Sequence, residues 1–238
     1  MSNPANDMEI NRLINIMSTL RSETGCPWDR QQTPQSLKGY LLEEAYEVLD
    51  AIDHHNPTEV CDELGDLLLQ VVFLAQIYQE QGLFNFADVA KSIADKLIRR
   101  HPHVFGEADQ AHHAERWEAI KHQERETRGQ GHSLAERLPK TLPALKTAQK
   151  ISKKSPLPTA ILLHEQIQNS WVSLSGQMEQ DEPRDGGESP AAIIGHILYQ
   201  TVQLATTLGV DAEDALRQKN NTLIAAADHK KQTQEGHQ

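Results

Sequence analysis

Apolar residues recur at helical spacing along most of the chain. The apolar positions between residues 8 and 21 fall on one helix face, and those between residues 36 and 54 form a second stripe. The segment 25–34 separates them, and it contains Gly25, Pro27 and Pro34, which are typical of a loop. The pattern therefore predicts two helices joined by a loop.

A third helix begins after the second. Asn56 and Pro57 are typical of a helix start and Gly82 of a helix end, which predicts a helix over 57–81. Its middle is apolar on nearly all sides, so its own domain or a partner chain must cover more than one face. A fourth helix is predicted over 86–100.

The second half of the chain shows the same helical patterns. Helices are predicted over 112–128, 145–153, 159–174, 190–208 and 212–229, with a polar linker over 178–189 and a disordered tail after 229. No segment shows the alternation typical of a strand. The sequence therefore predicts an all-α fold with two domains, residues 1–130 and 131–238.

Composition limits the classes of function. Of the 238 residues, 38% are hydrophobic and 24% are charged, which is typical of a globular protein with a core. The formal net charge of -11 argues against nucleic-acid or anionic-membrane partners. The two cysteines form no CxxC pair and the N-terminus does not resemble a signal peptide, so a cytoplasmic location is expected.

An internal repeat links the two halves. Residues 64–75 align with residues 194–205, and the apolar positions persist while the charged ones vanish. The replaced pairs are Glu63 with Ile193, Asp66 with His196, and Lys96, Arg99 and Arg100 with Thr222, Ala225 and Ala226. For the first acidic helix, an alignment of Glu44 with Glu165 retains at most one acid. We interpret the second domain as a copy that kept its packing and lost its chemistry.

Two adjacent predicted helices carry closely spaced carboxylates beside their core stripes, namely Glu43, Glu44, Glu47, Glu63 and Asp66. If the helices pack antiparallel, all of these except Glu43 come together. An all-oxygen cluster suits Mg²⁺, with Mn²⁺ as a substitute. A solvated acidic face is the alternative. A di-iron centre is a less well supported interpretation, because neither helix has the Glu-x-x-His pattern of such bundles.

Two further groups have two interpretations each. Lys96, Arg99 and Arg100 can complement the negative end of a helix dipole or bind phosphate. Trp28 can fill a core, or it can stack on a nucleotide base while Asp29 accepts a hydrogen bond.

Several short motifs follow one another in an order that is also found in a known protein family. The motifs are Gly25-Cys26-Pro27-Trp28-Asp29, Glu43-Glu44-x-x-Glu47, Glu63-x-x-Asp66, Lys96-x-x-Arg99-Arg100-His101-Pro102-His103 and Trp117-Glu118-x-Ile120-Lys121. With them the chain resembles the MazG family of nucleoside triphosphate pyrophosphohydrolases. The resemblance covers about residues 8–125 and, more faintly, about residues 140–229.

The resemblance implies a MazG-like helical bundle whose core is completed by a second chain in a homodimer. It also implies Mg²⁺-dependent hydrolysis of nucleoside triphosphates to monophosphates and pyrophosphate, a nucleotide-pool house-cleaning reaction. The metal ligands would be Glu44, Glu47, Glu63 and Asp66, and the phosphate ligands Lys96, Arg99 and Arg100. Glu43 is the candidate that orients or deprotonates the attacking water.

The second domain departs from the family pattern, because two-domain members usually carry the acidic and basic motifs there as well. We therefore also consider a non-catalytic nucleotide-binding or scaffolding dimer. A third hypothesis is an acidic helical dimerisation module without a nucleotide site.

Overall fold

The computed structural model describes residues 4–106, 113–127, 133, 136, 138–178 and 188–235, and every regular element in these ranges is an α-helix. The all-α prediction is confirmed. The described helices are, in chain order, α1 (Pro4–Leu20), α2 (Pro27–Gln31), α3 (Leu37–Asp53), α4 (Pro57–Glu80), α5 (Phe86–Arg100), α6 (Pro102–Phe105), α7 (His113–Thr127), α8 (Ala144–Ser152), α9 (Ala160–Met178), α10 (Pro190–Thr207) and α11 (Ala212–Glu235). Within the described ranges, none of these helices has the length and apolar character needed to cross a membrane.

The helix boundaries follow the local signals of the sequence. The Asn56 side chain accepts a hydrogen bond from the Thr58 amide at 3.1 Å and caps α4. Gly82 ends that helix with φ of 70°, a conformation that glycine adopts without strain. At the start of α5, the side chains of Asn85 and Asp88 each accept from the other residue's amide.

Two features differ from the predicted elements, and one predicted segment lies mostly outside the described residues. The loop prediction for 25–34 misses the short helix α2, which begins with Pro27 at a position that suits proline. The last helix extends to Glu235, into the segment predicted as a tail. The predicted linker lies outside the described residues except at 178, 188 and 189.

The chain divides into two compact units, Met1–Glu124 and Arg125–Gln238. In the first unit α3 and α4 form an antiparallel hairpin, and α1 packs against α4. The core consists of the buried side chains Met17, Leu37, Val72, Phe73 and Ile77. This hairpin fixes how the acidic faces of α3 and α4 meet.

Arg21 fastens the segment that follows α1. Its side chain is 7% exposed, and its guanidinium pairs with Glu80 at the end of α4, at 2.7 Å. Its Nη1 donates to the Asp29 carbonyl in α2 at 2.5 Å. Gly25 is required in the intervening turn, because a Cβ there would lie 2.2 Å from the Leu20 carbonyl oxygen. The position of α2 is therefore set by α1 and α4.

In the second unit α9 and α10 form the corresponding hairpin, and α8 packs against α10 and α11. Leu174, Ile193 and Ile197 form its core cluster. The Lys146 ammonium pairs with the Asp211 carboxylate and ties α8 to the start of α11.

Candidate functional site

The acidic side chains of α3 and α4 converge in the first unit. One carboxylate oxygen from each of Glu44, Glu63 and Asp66 lies within 4.8 Å of the others. Glu44 and Glu63 are half-buried, whereas Asp66 is exposed. The remaining two predicted acids, Glu43 and Glu47, are exposed on α3. The hairpin therefore brings together three of the four predicted metal ligands, and Glu47 interacts with them from the edge.

Electrostatics of the cluster oppose full ionisation. Burial raises the pKa of Glu44, and a hydrogen bond with Glu47 and the charges of Asp66, Glu47 and Glu63 raise it further. Burial also raises the pKa of Glu63, followed by the charges of Glu47 and Asp66. These shifts arise because carboxylates share one region from which water is partly excluded.

The described part of the chain supplies no counter-charge to this cluster. Among the described residues, no lysine, arginine or histidine forms an ion pair with Glu44, Glu63 or Asp66. Oxygen-only donors of this kind fit a hard divalent cation, which would neutralise the repulsion. A divalent metal is therefore compatible with the donor set.

Gln70 is a buried polar neighbour of the cluster. Its side-chain amide donates to Glu44 Oε1 at 3.5 Å, and the residue is 6% exposed. Its own Oε1 is buried and has no hydrogen-bond partner among the described residues. Sequence reasoning missed Gln70, although it is the one polar side chain in the apolar run 67–75.

The basic side chains at the end of α5 contact a different element. Arg99 and Arg100 both bind the carboxylate of Glu124 in α7, and the Arg100 guanidinium lies 5.3 Å from the centre of the Trp117 ring. Lys96 is half-buried on the same helix. No described hydrogen bond or ion pair joins these three cations to the acidic cluster.

Trp28 lies on the surface rather than in the core. Its side chain is 52% exposed and meets Tyr40 edge to face, with 6.1 Å between the ring centres. The core-filling interpretation of Trp28 is therefore wrong, because the short helix α2 holds the ring outside the hydrophobic cluster. Asp29 is half-buried beside it.

The amino-acid sequence of this chain is similar to those of known proteins. Residues 32–105 match the MazG nucleotide pyrophosphohydrolase domain. The chain is 42% identical over 228 residues to a nucleoside triphosphate pyrophosphohydrolase of Escherichia coli, a match that covers 89% of this chain and 83% of the relative. It is 40% identical over 226 residues to the nucleoside triphosphate pyrophosphohydrolase/pyrophosphatase MazG of Thermotoga maritima, covering 89% and 81%.

The chain belongs to the MazG family. A third relative, the nucleoside triphosphate pyrophosphohydrolase of Mycobacterium tuberculosis, is 38% identical over 173 residues, covering 68% of this chain and 51% of the relative. The matched MazG domain spans α3 to α6. It includes the acidic and basic clusters, whereas Trp28, Asp29 and Glu124 lie outside it.

The second unit offers an internal comparison for the MazG hairpin. In α3 the side chains of Leu37 and Val48 are both buried, and the two residues are eleven positions apart. In α9 the buried residues Leu163 and Leu174 have the same spacing. This register aligns Glu44 with Ser170, not with Glu165 as the sequence alignment had it.

The facing helices support the same register. Gln200 of α10, the counterpart of Gln70, accepts a hydrogen bond from the Ser170 hydroxyl at 3.1 Å. The four predicted metal ligands therefore correspond to Ser170, Ser173, Ile193 and His196. No carboxylate is retained at these positions. That the second unit is a duplicated MazG domain stays a prediction.

Proposed function

We propose that this MazG-family chain is a nucleoside triphosphate pyrophosphohydrolase whose active centre is the acidic cluster of the first unit. The observation that carries the proposal is the convergence of Glu44, Glu63 and Asp66 without a described counter-charge. The relatives from E. coli and T. maritima, named for this activity, match most of the chain. Water adds to the α-phosphorus and the bond to the bridging oxygen breaks, which releases the monophosphate and pyrophosphate.

Magnesium is the proposed cation, with manganese as a substitute. The proposed ligands are Glu44, Glu47, Glu63 and Asp66. When bound, the cation would supply positive charge opposite the triphosphate oxygens. The raised pKa values of Glu44 and Glu63 support this assignment, because the carboxylates need an external positive charge to ionise together.

The other predicted residues take roles that their positions allow. Glu43 is exposed beside Glu44, and we assign it to accept the proton of the attacking water. Lys96, Arg99 and Arg100 bind phosphate oxygens. The exposed face of Trp28 stacks on the base, and Asp29 accepts a hydrogen bond from it. Because nucleoside triphosphates are the substrates, the proposed location is the cytoplasm.

A homodimer is the proposed assembly. The side chains of Phe84, Ile93 and Leu97 are exposed on or beside α5, although they are large and apolar. Phe84 and Ile93 line a depression of about 490 Å³ together with Lys96. A second copy of this chain would cover these side chains and complete the core, as expected for a MazG bundle. Sedimentation of the purified chain tests this assembly.

The activity is tested by measuring pyrophosphate release from a panel of ribo- and deoxyribonucleoside triphosphates with Mg²⁺. We expect Glu44→Gln and Glu63→Gln to lower turnover at least about tenfold, since even indirect partners of a metal commonly contribute that much. The matched control is Glu165→Gln, which removes an exposed acid of the second unit and should leave turnover unchanged. Tight nucleotide binding without turnover would instead favour the non-catalytic dimer.

A further inference from the structure

Glu124 joins the two arginines at the end of α5. Its Oε1 accepts from Arg99 Nε at 2.8 Å, and its Oε2 accepts from Arg100 Nε at 3.2 Å. The Nη2 groups of both arginines donate to the same carboxylate. The Glu124 side chain is 10% exposed and that of Arg100 is 19% exposed, so the Arg100 bonds are partly shielded from water, whereas Arg99 is 46% exposed.

Both arginines bind Glu124 through the same edge of their guanidinium groups. Each binds Glu124 through Nε and Nη2, and no described residue accepts a hydrogen bond from either Nη1. A guanidinium carries two N–H groups on Nη1, so each arginine retains donors for another acceptor. One carboxylate between two guanidinium groups also leaves a net positive charge.

The Arg100 side chain is also restrained from a second side. The Trp117 ring lies 5.3 Å from the Arg100 guanidinium, a cation–π contact that restricts its plane. Without Glu124, two neighbouring guanidinium groups would repel each other and lose rotamer order.

We propose that Glu124 is a positioning residue that holds Arg99 and Arg100 side by side, with their Nη1 groups left to bind the phosphate oxygens of the nucleotide. This inference rests on the proposed function, since it assigns the arginines to the substrate phosphates. The experiment below tests this role against the opposite one, in which Glu124 occupies the position of a phosphate and competes with it. The two roles predict opposite effects when the carboxylate is removed.

The experiment measures pyrophosphate binding to the full chain by calorimetry in Mg²⁺ buffer. Glu124→Ala makes this region more positive, so charge alone would tighten binding. Positioning instead predicts roughly tenfold weaker binding, comparable to the loss of a supporting contact at a binding site. The KM for nucleoside triphosphates should rise by more than kcat falls. Unchanged or tighter binding overturns the proposal.

Two controls separate positioning from charge and from folding. Glu126→Ala removes the same charge from an exposed position of α7 and should leave the affinity for pyrophosphate unchanged. In a chain that carries both Arg99→Ala and Arg100→Ala, adding Glu124→Ala should have no further effect on pyrophosphate affinity. A further loss there contradicts action through the arginines.

The same measurements distinguish this inference from the proposed function. If the wild-type chain releases pyrophosphate from no triphosphate, the proposed function fails. If the wild type releases pyrophosphate but binds it too weakly for calorimetry, the KM for nucleoside triphosphates decides, and a KM of Glu124→Ala equal to that of the wild type overturns the positioning role. If the wild type both releases and binds pyrophosphate and Glu124→Ala binds it as well as the wild type does, only the positioning role fails.

Discussion

The side chain of Gln70 in α4 reaches across the hairpin and donates to Glu44 of α3 at 3.5 Å, while its own carbonyl oxygen is buried without a partner among the described residues. An unsatisfied buried carbonyl destabilises a protein by about 1–3 kcal/mol. The counterpart in the second unit has no such defect, because Gln200 Oε1 accepts from Ser170. The defect is thus specific to the hairpin that carries the acidic cluster.

We expect Gln70→Leu to change stability little and activity substantially. The substitution removes both the unsatisfied oxygen and the donor to Glu44, so the free energy of unfolding should stay within about 1 kcal/mol of the wild type. Turnover should fall about tenfold, because Glu44 loses the group that orients it. Urea unfolding and steady-state kinetics measure the two effects.

The control for this change is Gln200→Leu in the second unit. It leaves the Ser170 hydroxyl without this partner, but it changes the hairpin of the second unit, which carries none of the proposed metal ligands, so turnover should be unchanged. Equal kinetic effects of the two substitutions would mean that Gln70 acts through folding rather than through Glu44.

Local patterns in the sequence predicted most of the helices. The α5 helix spans 86–100 as expected, because an apolar stripe lies between a capping pair and His101-Pro102. The convergence of Glu44 with Glu63 and Asp66 also followed from periodicity, because stripe and acids recur together on both helices.

Contacts between distant residues were not predictable in this way. Glu124 meets Arg99 from 25 residues along the chain, and the polar helix α7 has no clear apolar stripe from which its packing face could be predicted. The alignment of Glu44 with Glu165 differed from the structural register because the hairpin connections differ in length, which only the buried positions reveal. Gln70 was visible as a polar residue in an apolar run, but its partner depends on how the helices pack.

A divalent cation should stabilise the first unit. Mg²⁺ added to metal-free protein should raise the melting temperature, since binding at 100 times the dissociation constant contributes about 2.7 kcal/mol. Glu63→Gln should abolish this response. In metal-free buffer the same variant should melt at a higher temperature than the wild type, because it relieves repulsion with Glu47 and Asp66.

The metal-free wild type provides the pH control for this effect. The pKa of Glu63 is raised from 4.5, so the folded chain holds its proton more tightly than the unfolded chain. The melting temperature should therefore fall as pH increases above 4.5, and Glu63→Gln should reduce that fall. If Glu63→Gln melts at a lower temperature than the wild type in metal-free buffer, repulsion among these carboxylates does not destabilise the folded chain.

Glu124 should produce the opposite pH dependence. Hydrogen bonds from Arg100 lower its pKa from 4.5 to about 2, so the ionised carboxylate stabilises the folded state. This contribution is complete above pH 4.5 and is lost as pH falls towards 2. Glu124→Gln should therefore be less stable than the wild type at pH 7, and the difference should shrink below pH 4.5. Urea unfolding across this range checks the sign, and a constant difference would exclude the ion pair as its cause.

Arg21 links stability to the base-binding segment. Its guanidinium binds Glu80 with two donors and the Asp29 carbonyl with a third, and it lies 5.4 Å from the centre of the Phe73 ring. Trp28 belongs to the short helix that this carbonyl contact holds. A loss of Arg21 should therefore weaken both the core and the placement of Trp28.

We expect Arg21→Lys to lower the free energy of unfolding by about 2–3 kcal/mol, because an ammonium group cannot reproduce the planar set of donors. The KM for nucleoside triphosphates should also rise, since α2 loses its anchor and the Trp28 ring is no longer held in one position. Glu80→Gln is the matched variant. It weakens the pair at the end of α4 but leaves the Asp29 contact, so it should reduce stability with little change in KM. If Arg21→Lys keeps the wild-type KM despite its lower stability, Trp28 does not contribute to substrate binding through this anchor.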